Sequence, residues 1–273
     1  MQSEKVHVHL TKEKETLLAS LYCRALDSRS KHPLLHDQAA EEVVRRIDYD
    51  FRKLKMAWDD VVGAAIRAKH FDQWTRDFLA AHPDATVLHL GCGLDSRFER
   101  VAPPKSVRWY DLDFPDVIEL RRRFYPPHDG YCLIGASVTD KSFLDQVPAS
   151  GSVMIVAEGL FMYLSEHEAK ELLQRLTSHF QSGQIAFDVW GRLAVRLSKW
   201  YPMVIATGVS MGWGIDDLRA IEQWVPRLQL VRELALTEAL ASANISWGAR
   251  VMYRALNHIP PWRRLSRFLL YRF

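Results

Sequence analysis

The chain has little that would mark it for a membrane, an oxidising compartment or a nucleic acid. No apolar run approaches the ~18 residues of a spanning helix, and Met1-Gln-Ser-Glu-Lys-Val-His7 has no apolar signal core, so a cytoplasmic protein is expected. Its cysteines, Cys23, Cys92 and Cys132, are odd in number and far apart, which suits neither a disulfide framework nor the spacing of a metal site, and no metal is expected. Net charge is only +3, and no lysine or arginine cluster interleaves with aromatics. A nucleic-acid partner is therefore not expected and a small molecule is. Carboxylates are missing after Glu238, where six arginines follow. This end reads as an edge strand with its arginines facing water; a membrane-surface or anion-binding role is the alternative, and stable membrane association is not expected. No internal repeat or low-complexity linker is present. What remains is the balance of a soluble globular protein, 48% hydrophobic and 25% charged, with a core of ample size.

Against these absences stands one constellation. Thr86-Val-Leu-His-Leu-Gly-Cys-Gly-Leu-Asp-Ser-Arg97 joins a buried-strand pattern to a turn in which Gly91 and Gly93 let the backbone approach a ligand. Cys92 fills that turn by its small size. Val107-Arg-Trp-Tyr-Asp-Leu-Asp-Phe-Pro115 then offers Asp111 and Asp113, about twenty residues on, where a carboxylate can accept bonds from ribose hydroxyls. A third glycine opening a helix is absent, which disfavours a dinucleotide, and no lysine follows the turn, which excludes a P-loop. Asp95 would repel a phosphate. S-adenosylmethionine, a sulfonium without phosphate, fits the same residues, and S-adenosylhomocysteine would be its product.

Lys12 to about Ala81 reads as helices, with Leu17, Leu18, Leu21 and Ala25 on one face and Val61, Val62, Ala65, Ala68, Phe71, Trp74 and Phe78 on another. Strands then alternate with helices: 86–90, 107–111, 131–135, 153–157 and 185–189, with 228–236 and 266–273 completing the set. The expected fold is α/β: a seven-stranded, mostly parallel Rossmann-like sheet with a final antiparallel strand, its ligands at the carboxyl ends of the strands. Residues 1–82 would form a helical cap, 83–273 the cofactor-binding domain, and the aromatic stretch 192–216 a substrate lid. Ser165 with Glu168 opens a helix over 166–180, and a further helix is expected near Glu238 to Leu256.

Gly91-Cys-Gly-Leu-Asp-Ser-Arg97, Asp111-Leu-Asp-Phe-Pro-Asp-Val117 and Ala157-Glu-Gly-Leu-Phe-Met-Tyr-Leu164, in this order, resemble the leucine carboxyl methyltransferase superfamily. Leu21-Tyr-Cys-Arg-Ala-Leu-Asp-Ser28, Ser137-Val-Thr-Asp140 and Trp213-Gly-Ile-Asp-Asp217 are similar to its bacterial branch, the tetracenomycin-polyketide-type O-methyltransferases. The resemblance spans nearly the whole chain and implies a class I methyltransferase acting on an oxygen of an aromatic, polyketide-like small molecule.

The resemblance also implies roles. Arg67, with Arg24 as second member, matches the cap residues that grip the cofactor carboxylate, and Asp113 matches the ribose ligand. Asp111 either caps the same turn or reaches the second hydroxyl. Ser137 and Val138 stand where relatives read the adenine edge with an acidic residue and a leucine, so the serine hydroxyl or Asp140 takes the exocyclic amine, unless Asp140 only caps the next helix. Glu158 accepts from the methionine amino group or forms a structural ion pair. Tyr163 points into the acceptor pocket or into the core. Tyr22, Trp200 and Trp213, with Tyr163, are the candidate substrate contacts, and Tyr22 and Tyr163 the candidate catalytic groups. None of His32, His36 and His70 stands out as a base, which favours a carboxyl over a hydroxyl acceptor. A protein C-terminus as acceptor, and a binding protein that has lost catalysis, are the competing readings. The oligomeric state stays open.

Overall fold

A computed structural model describes residues 5–8 and 14–273; the expected helix start at Lys12 and most of the N-terminal stretch lie outside them. The first helices form where apolar residues recur at helical spacing. α1 (Thr16–Ser28) buries Leu18, Leu21 and Ala25. α2 (Gln38–Arg46) starts at Asp37, whose carboxylate accepts from the Ala40 N–H at 2.9 Å. α3 (Trp58–Ala81) buries the full expected face, Val61, Val62, Ala65, Ala68, Phe71, Trp74 and Phe78. Leu17, expected on the buried face of α1, is only partly buried and borders a cavity.

Seven strands follow: β1 (Thr86–Leu90), β2 (Arg108–Asp113), β3 (Tyr131–Gly135), β4 (Ser152–Ala157), β5 (Ser182–Trp190), β6 (Gln229–Ala235) and β7 (Ser266–Arg272). They lie in the order β3-β2-β1-β4-β5-β7-β6, with β7 antiparallel to both neighbours and the other pairs parallel. β1 is buried throughout, as a strand covered on both faces must be. On one face α3 shares a core with the sheet, Phe71, Trp74 and Phe78 meeting Val87, Trp109 and Phe268. On the other lies α6 (Glu166–His179), opened by a reciprocal Ser165–Glu168 capping box. α4 (Arg97–Val101) and α5 (Pro115–Arg122) make the crossovers after β1 and β2.

Two expectations are corrected here. The last strand is not an edge: β7 sits between β5 and β6, and its Arg267 is buried, donating to the Ile215 carbonyl at 2.6 Å, rather than facing water. The single helix expected near 238–256 is two, α10 (Leu236–Ser242) and α11 (Trp247–Asn257), because Ser246 interrupts the run and caps the second, its hydroxyl accepting from Ala249 N. Between β5 and β6 run α7 (Arg192–Ser198), α8 (Pro202–Thr207) and α9 (Arg219–Trp224), numbered ahead of α10. The extended chain from 208 to 217 is tied to the sheet, with Gly212 N donating to the Met162 carbonyl and Ile215 N to the Trp190 carbonyl, both at 2.8 Å.

Candidate active site

Strand order reverses between β1 and β4, and a crevice opens beyond the carboxyl ends of such strands. Here it is a cavity of about 910 Å³, walled by the ends of β1, β2 and β4 on one side and by α1, α3 and the α7–α8 segment on the other. That volume lies near the top of the ordinary ligand-pocket range, with room for two small molecules side by side.

The glycine turn is built around Asp113. Gly91 and Gly93 hold φ of +62° and +49°, a region that side chains resist, and a Cβ on Gly93 would lie 3.2 Å from that of Leu17. Gly93 N and Phe114 N each donate to one Asp113 carboxylate oxygen at 2.7 Å, which orients the group at the cavity wall. Burial raises its pKa, and the two N–H donors only partly counter this.

Behind the turn lies a buried lattice of ions. Arg67 donates through Nε to Glu158 at 3.0 Å and through Nη1 to Asp188 at 3.0 Å; its Nη2 makes no hydrogen bond to another described residue. Glu158 is also paired with Arg97, which reaches Asp95 at 3.1 Å and Asp72 at 3.4 Å. Arg100 bridges Asp72, Asp95 and Asp37, and Arg24 pairs with Asp37 at 3.3 Å while donating to the Leu94 carbonyl. Burial alone would raise the Glu158 pKa, but Arg67 and Arg97 outweigh it and hold the carboxyl below its usual range, so the group stays ionised. For Asp188 burial wins over Arg67, and its carboxyl is held up.

The structure brings together at the cavity Arg24, Arg67, Gly91, Gly93, Asp113, Ser137, Val138, Glu158 and Tyr163, and leaves five candidates out. Asp111 is fully buried behind the turn, where it accepts from Trp109 Nε1 at 2.7 Å and the Tyr131 hydroxyl at 2.6 Å, meets His89 Nδ1 at 3.1 Å and pairs with Arg121. Its oxygens are spent on protein partners, so it neither caps the turn nor faces a ligand. Tyr22 stacks on Phe51, ring centroids 5.0 Å apart, outside the cavity. Trp200 projects into solvent beside Lys199. Trp213 is a core residue, 5.4 Å from Trp224. Asp140 bonds Ser142 N and its hydroxyl at 2.9 Å, the cap of a short turn.

These assignments separate the tryptophans sharply. Trp213→Ala is expected to cost about 3–5 kcal/mol of stability, whereas Trp200→Ala should stay within about 0.5 kcal/mol; chemical denaturation of both variants checks the contrast.

Sequence reasoning missed Asp188 and Asp60. Asp188 carried the same signal that singled out Glu158, a carboxylate in the apolar run Ala186-Phe-Asp-Val189. Asp60, at the start of α3, accepts from the Tyr201 hydroxyl and from Ala57 N, and with Tyr201 it lines the cavity. Of the histidines, only His89 lines the cavity among the described residues, and it faces Asp111. Burial, with Asp60 adding to it, pushes the cavity-lining Cys23 thiol up to about 12, so it stays protonated.

This sheet order, the glycine turn and the acid closing β2 define a class I S-adenosylmethionine-dependent methyltransferase. The residues present fit that cofactor: a turn without Cβ atoms, an oriented carboxylate one strand away, and a guanidinium with an open nitrogen. The chain belongs to the leucine carboxyl methyltransferase family, whose model matches residues 18–177. It is 43% identical over 266 residues to the tetracenomycin polyketide synthesis O-methyltransferase TcmP of Streptomyces glaucescens, covering 97% of this chain and 98% of that one. It is 34% identical to the S-adenosyl-L-methionine-dependent methyltransferase dpfgK of Gibberella zeae, covering 92% of each. A crystal structure from Thermobifida fusca, provisionally assigned as a methyltransferase, superposes with a TM-score of 0.60 at 15% identity over 92% of this chain and 93% of that one, a likeness of fold alone. The chain is an S-adenosylmethionine-dependent O-methyltransferase.

Proposed function

We propose that this enzyme methylates an oxygen of an aromatic, polyketide-like small molecule. The observation that carries the reading is a single cavity lined both by the Gly93–Asp113 turn with Arg67 and by Met56, Met162, Tyr163, Trp190, Tyr201 and Met203. The first group suits a nucleoside and an amino acid. The second sets aromatic and thioether faces beside the Asp60 carboxylate, which suits a fused-ring acceptor carrying a polar oxygen.

In this reading Asp113 takes the ribose hydroxyls, Arg67 and Arg24 hold the methionine carboxylate, and Glu158 takes the ammonium. Val138 offers an apolar face to adenine. Ser137 is held by its bonds with Thr139, to Oγ1 at 2.8 Å and from N at 3.2 Å, and presents its oxygen at the same rim. Bound S-adenosylmethionine supplies an activated methyl group and a positive sulfonium. The chain's own work is to align an acceptor oxygen with it and to keep water out. Residues 1–82 supply the cap, although α3 packs as part of the sheet's own core, and 192–216 the lid, with Leu197, Ser198 and Tyr201 turned to the cavity. A carboxylate acceptor needs no base; a phenol would give up its proton to Asp60, which Tyr201 and Ala57 N hold in place. A protein C-terminus is disfavoured by the 43% identity to a polyketide O-methyltransferase along nearly the whole chain. The intact turn, Asp113 and Glu158 disfavour an idle binding protein.

The test is methyl transfer from labelled S-adenosylmethionine to a panel of aromatic carboxylic acids and phenols, followed by mild alkali. Label that alkali releases as volatile methanol identifies a carboxyl ester; stable label identifies an ether. Transfer to no small aromatic, with transfer to a peptide carboxyl terminus, would overturn the reading.

A further inference from the structure

Tryptophans are seldom left largely in water, yet four of the nine here are: Trp58 at 55%, Trp200 at 71%, Trp247 at 74% and Trp262 at 43% exposure. They do not stand alone. On α7 Leu193 and Leu197 stand at i and i+4, Trp200 follows in the turn after the helix and Ile205 on α8 continues them, all exposed. On α11 exposed Trp247, Val251 and Met252 are followed past its end by Ile259 and Trp262. Both segments meet the start of α3 through their inward sides, Tyr201 bonding Asp60 and the Tyr253 hydroxyl of α11 facing Asp59, and the exposed Trp58 is the residue before. Leu197 both lines the cavity and stands half in water, so this face carries the cavity's edge.

Its charge is mainly positive, with Asp216 at the start of α7 and Asp59 and Asp60 at the start of α3 as the nearby acids. Exposed Arg192, Arg196 and Lys199 occur in a stretch from Gly191 to Ile215 without a carboxylate, and exposed Arg254 and Arg264 in another that lacks one to the end of the chain. The two acids at the junction, Asp59 and Asp60, face the tyrosines just named. Tryptophan and aliphatic side chains ringed by arginine and lysine on short helices match the headgroup region of an anionic bilayer, where indole rings sit at the interface and cations meet lipid phosphates.

We propose that α7–α8 and α11 with the turn after it form a peripheral docking surface for an anionic membrane, holding the cavity edge against the bilayer. No helix among the described residues is long and apolar enough to cross a membrane, so the contact is reversible and superficial. Its use, capture of an apolar fused-ring acceptor from the lipid phase, rests on the function proposed above; the docking itself does not.

Sedimentation with phosphatidylcholine vesicles, with and without phosphatidylglycerol, tests it. The protein is expected to pellet with the anionic vesicles at low salt and to stay in solution with neutral vesicles or at high salt. Arg196→Gln and Lys199→Gln should each weaken binding about fivefold, and Trp200→Ala with Trp247→Ala should weaken it further, while S-adenosylhomocysteine binding in free solution stays at the wild-type level. Three results would overturn the proposal: no pelleting with anionic vesicles at low salt, pelleting that ignores both salt and these variants, or equal affinity for soluble polyglutamate without need of the tryptophans, which would indicate an acidic protein. Self-association of the wild type that the tryptophan variants abolish would assign the face to a second copy instead. If wild-type protein fails to bind S-adenosylhomocysteine, the cofactor reading fails while the vesicle result stands.

Discussion

Arg67→Ala is expected to reduce S-adenosylhomocysteine affinity by about ten- to a hundredfold and to lower the melting temperature at the same time. The first loss follows from removing a guanidinium that offers Nη2 to a ligand carboxylate, since a hydrogen bond to a charged group is worth about 1.5–3 kcal/mol and each 1.4 kcal/mol is tenfold. The second follows because Arg67 is a partner of both Glu158 and Asp188. Without it, among the described residues, Glu158 keeps only Arg97 as an ionic partner, and Asp188 keeps only the Gly159 N–H at 2.6 Å. Arg67→Lys separates the two effects. An ammonium can replace one ion pair but cannot span two carboxylates and a ligand, so much of the stability should return while affinity stays low. Isothermal titration with thermal melts of both variants checks this, and a lysine variant with wild-type affinity would remove Arg67 from the cofactor site.

Asp111→Asn is expected to cost about 3–5 kcal/mol, as breaking a buried ion pair does. Asp111 and Arg121 are both fully buried, and the asparagine would leave Arg121 with only neutral acceptors, the Gly93 carbonyl at 3.0 Å and the Tyr131 hydroxyl at 2.9 Å. Burial pushes the Asp111 pKa up, but Arg121 and the bonds from His89 and Tyr131 prevail and bring it to about 2. A carboxyl depressed from about 3.9 to that value contributes about 2–3 kcal/mol. That contribution is present in full above the unfolded pKa and is lost as pH falls from about 4 towards about 2. Denaturant titrations at several pH values should therefore show wild-type stability declining through that window, with a shallower decline in Asp111→Asn. Because Arg121 also holds the Gly93 carbonyl, the variant should loosen the glycine turn as well.

The contrast between Asp111 and Asp113 shows where sequence reading stops. Two aspartates two residues apart point alike on a strand, and spacing cannot tell them apart. What separates them is Arg121 on α5 and Tyr131 on β3, ten and twenty residues beyond Asp111, which enclose one aspartate while the chain turns away at Phe114-Pro115 and frees the other. Strand β1, the apolar face of α3 and the Ser165–Glu168 box were legible because each depends on neighbours within a turn or two. The tryptophans were not. Their composition suggested a pocket lining, but Trp213 is drawn into the core by Trp224, and Trp200 faces outward because the other side of that segment, Ser198 and Tyr201, turns inward. The ion lattice behind the glycine turn was half visible: the resemblance marked Arg24, Arg67 and Glu158, while Arg97, Arg100 and Asp72 had no assigned role until the fold buried them together.

The measurement that bears most directly on the site is calorimetric titration of S-adenosylhomocysteine into wild-type protein and into Asp113→Ala. Among the described residues Asp113 accepts hydrogen bonds only from two backbone N–H groups and forms no ion pair, so its loss should spare the fold and remove the ribose contact. Micromolar binding by the wild type, weakened about tenfold or more in a variant that melts as the wild type does, is the expected result. A well-folded wild type that does not bind, or an Asp113→Ala protein that binds as tightly, would contradict the account.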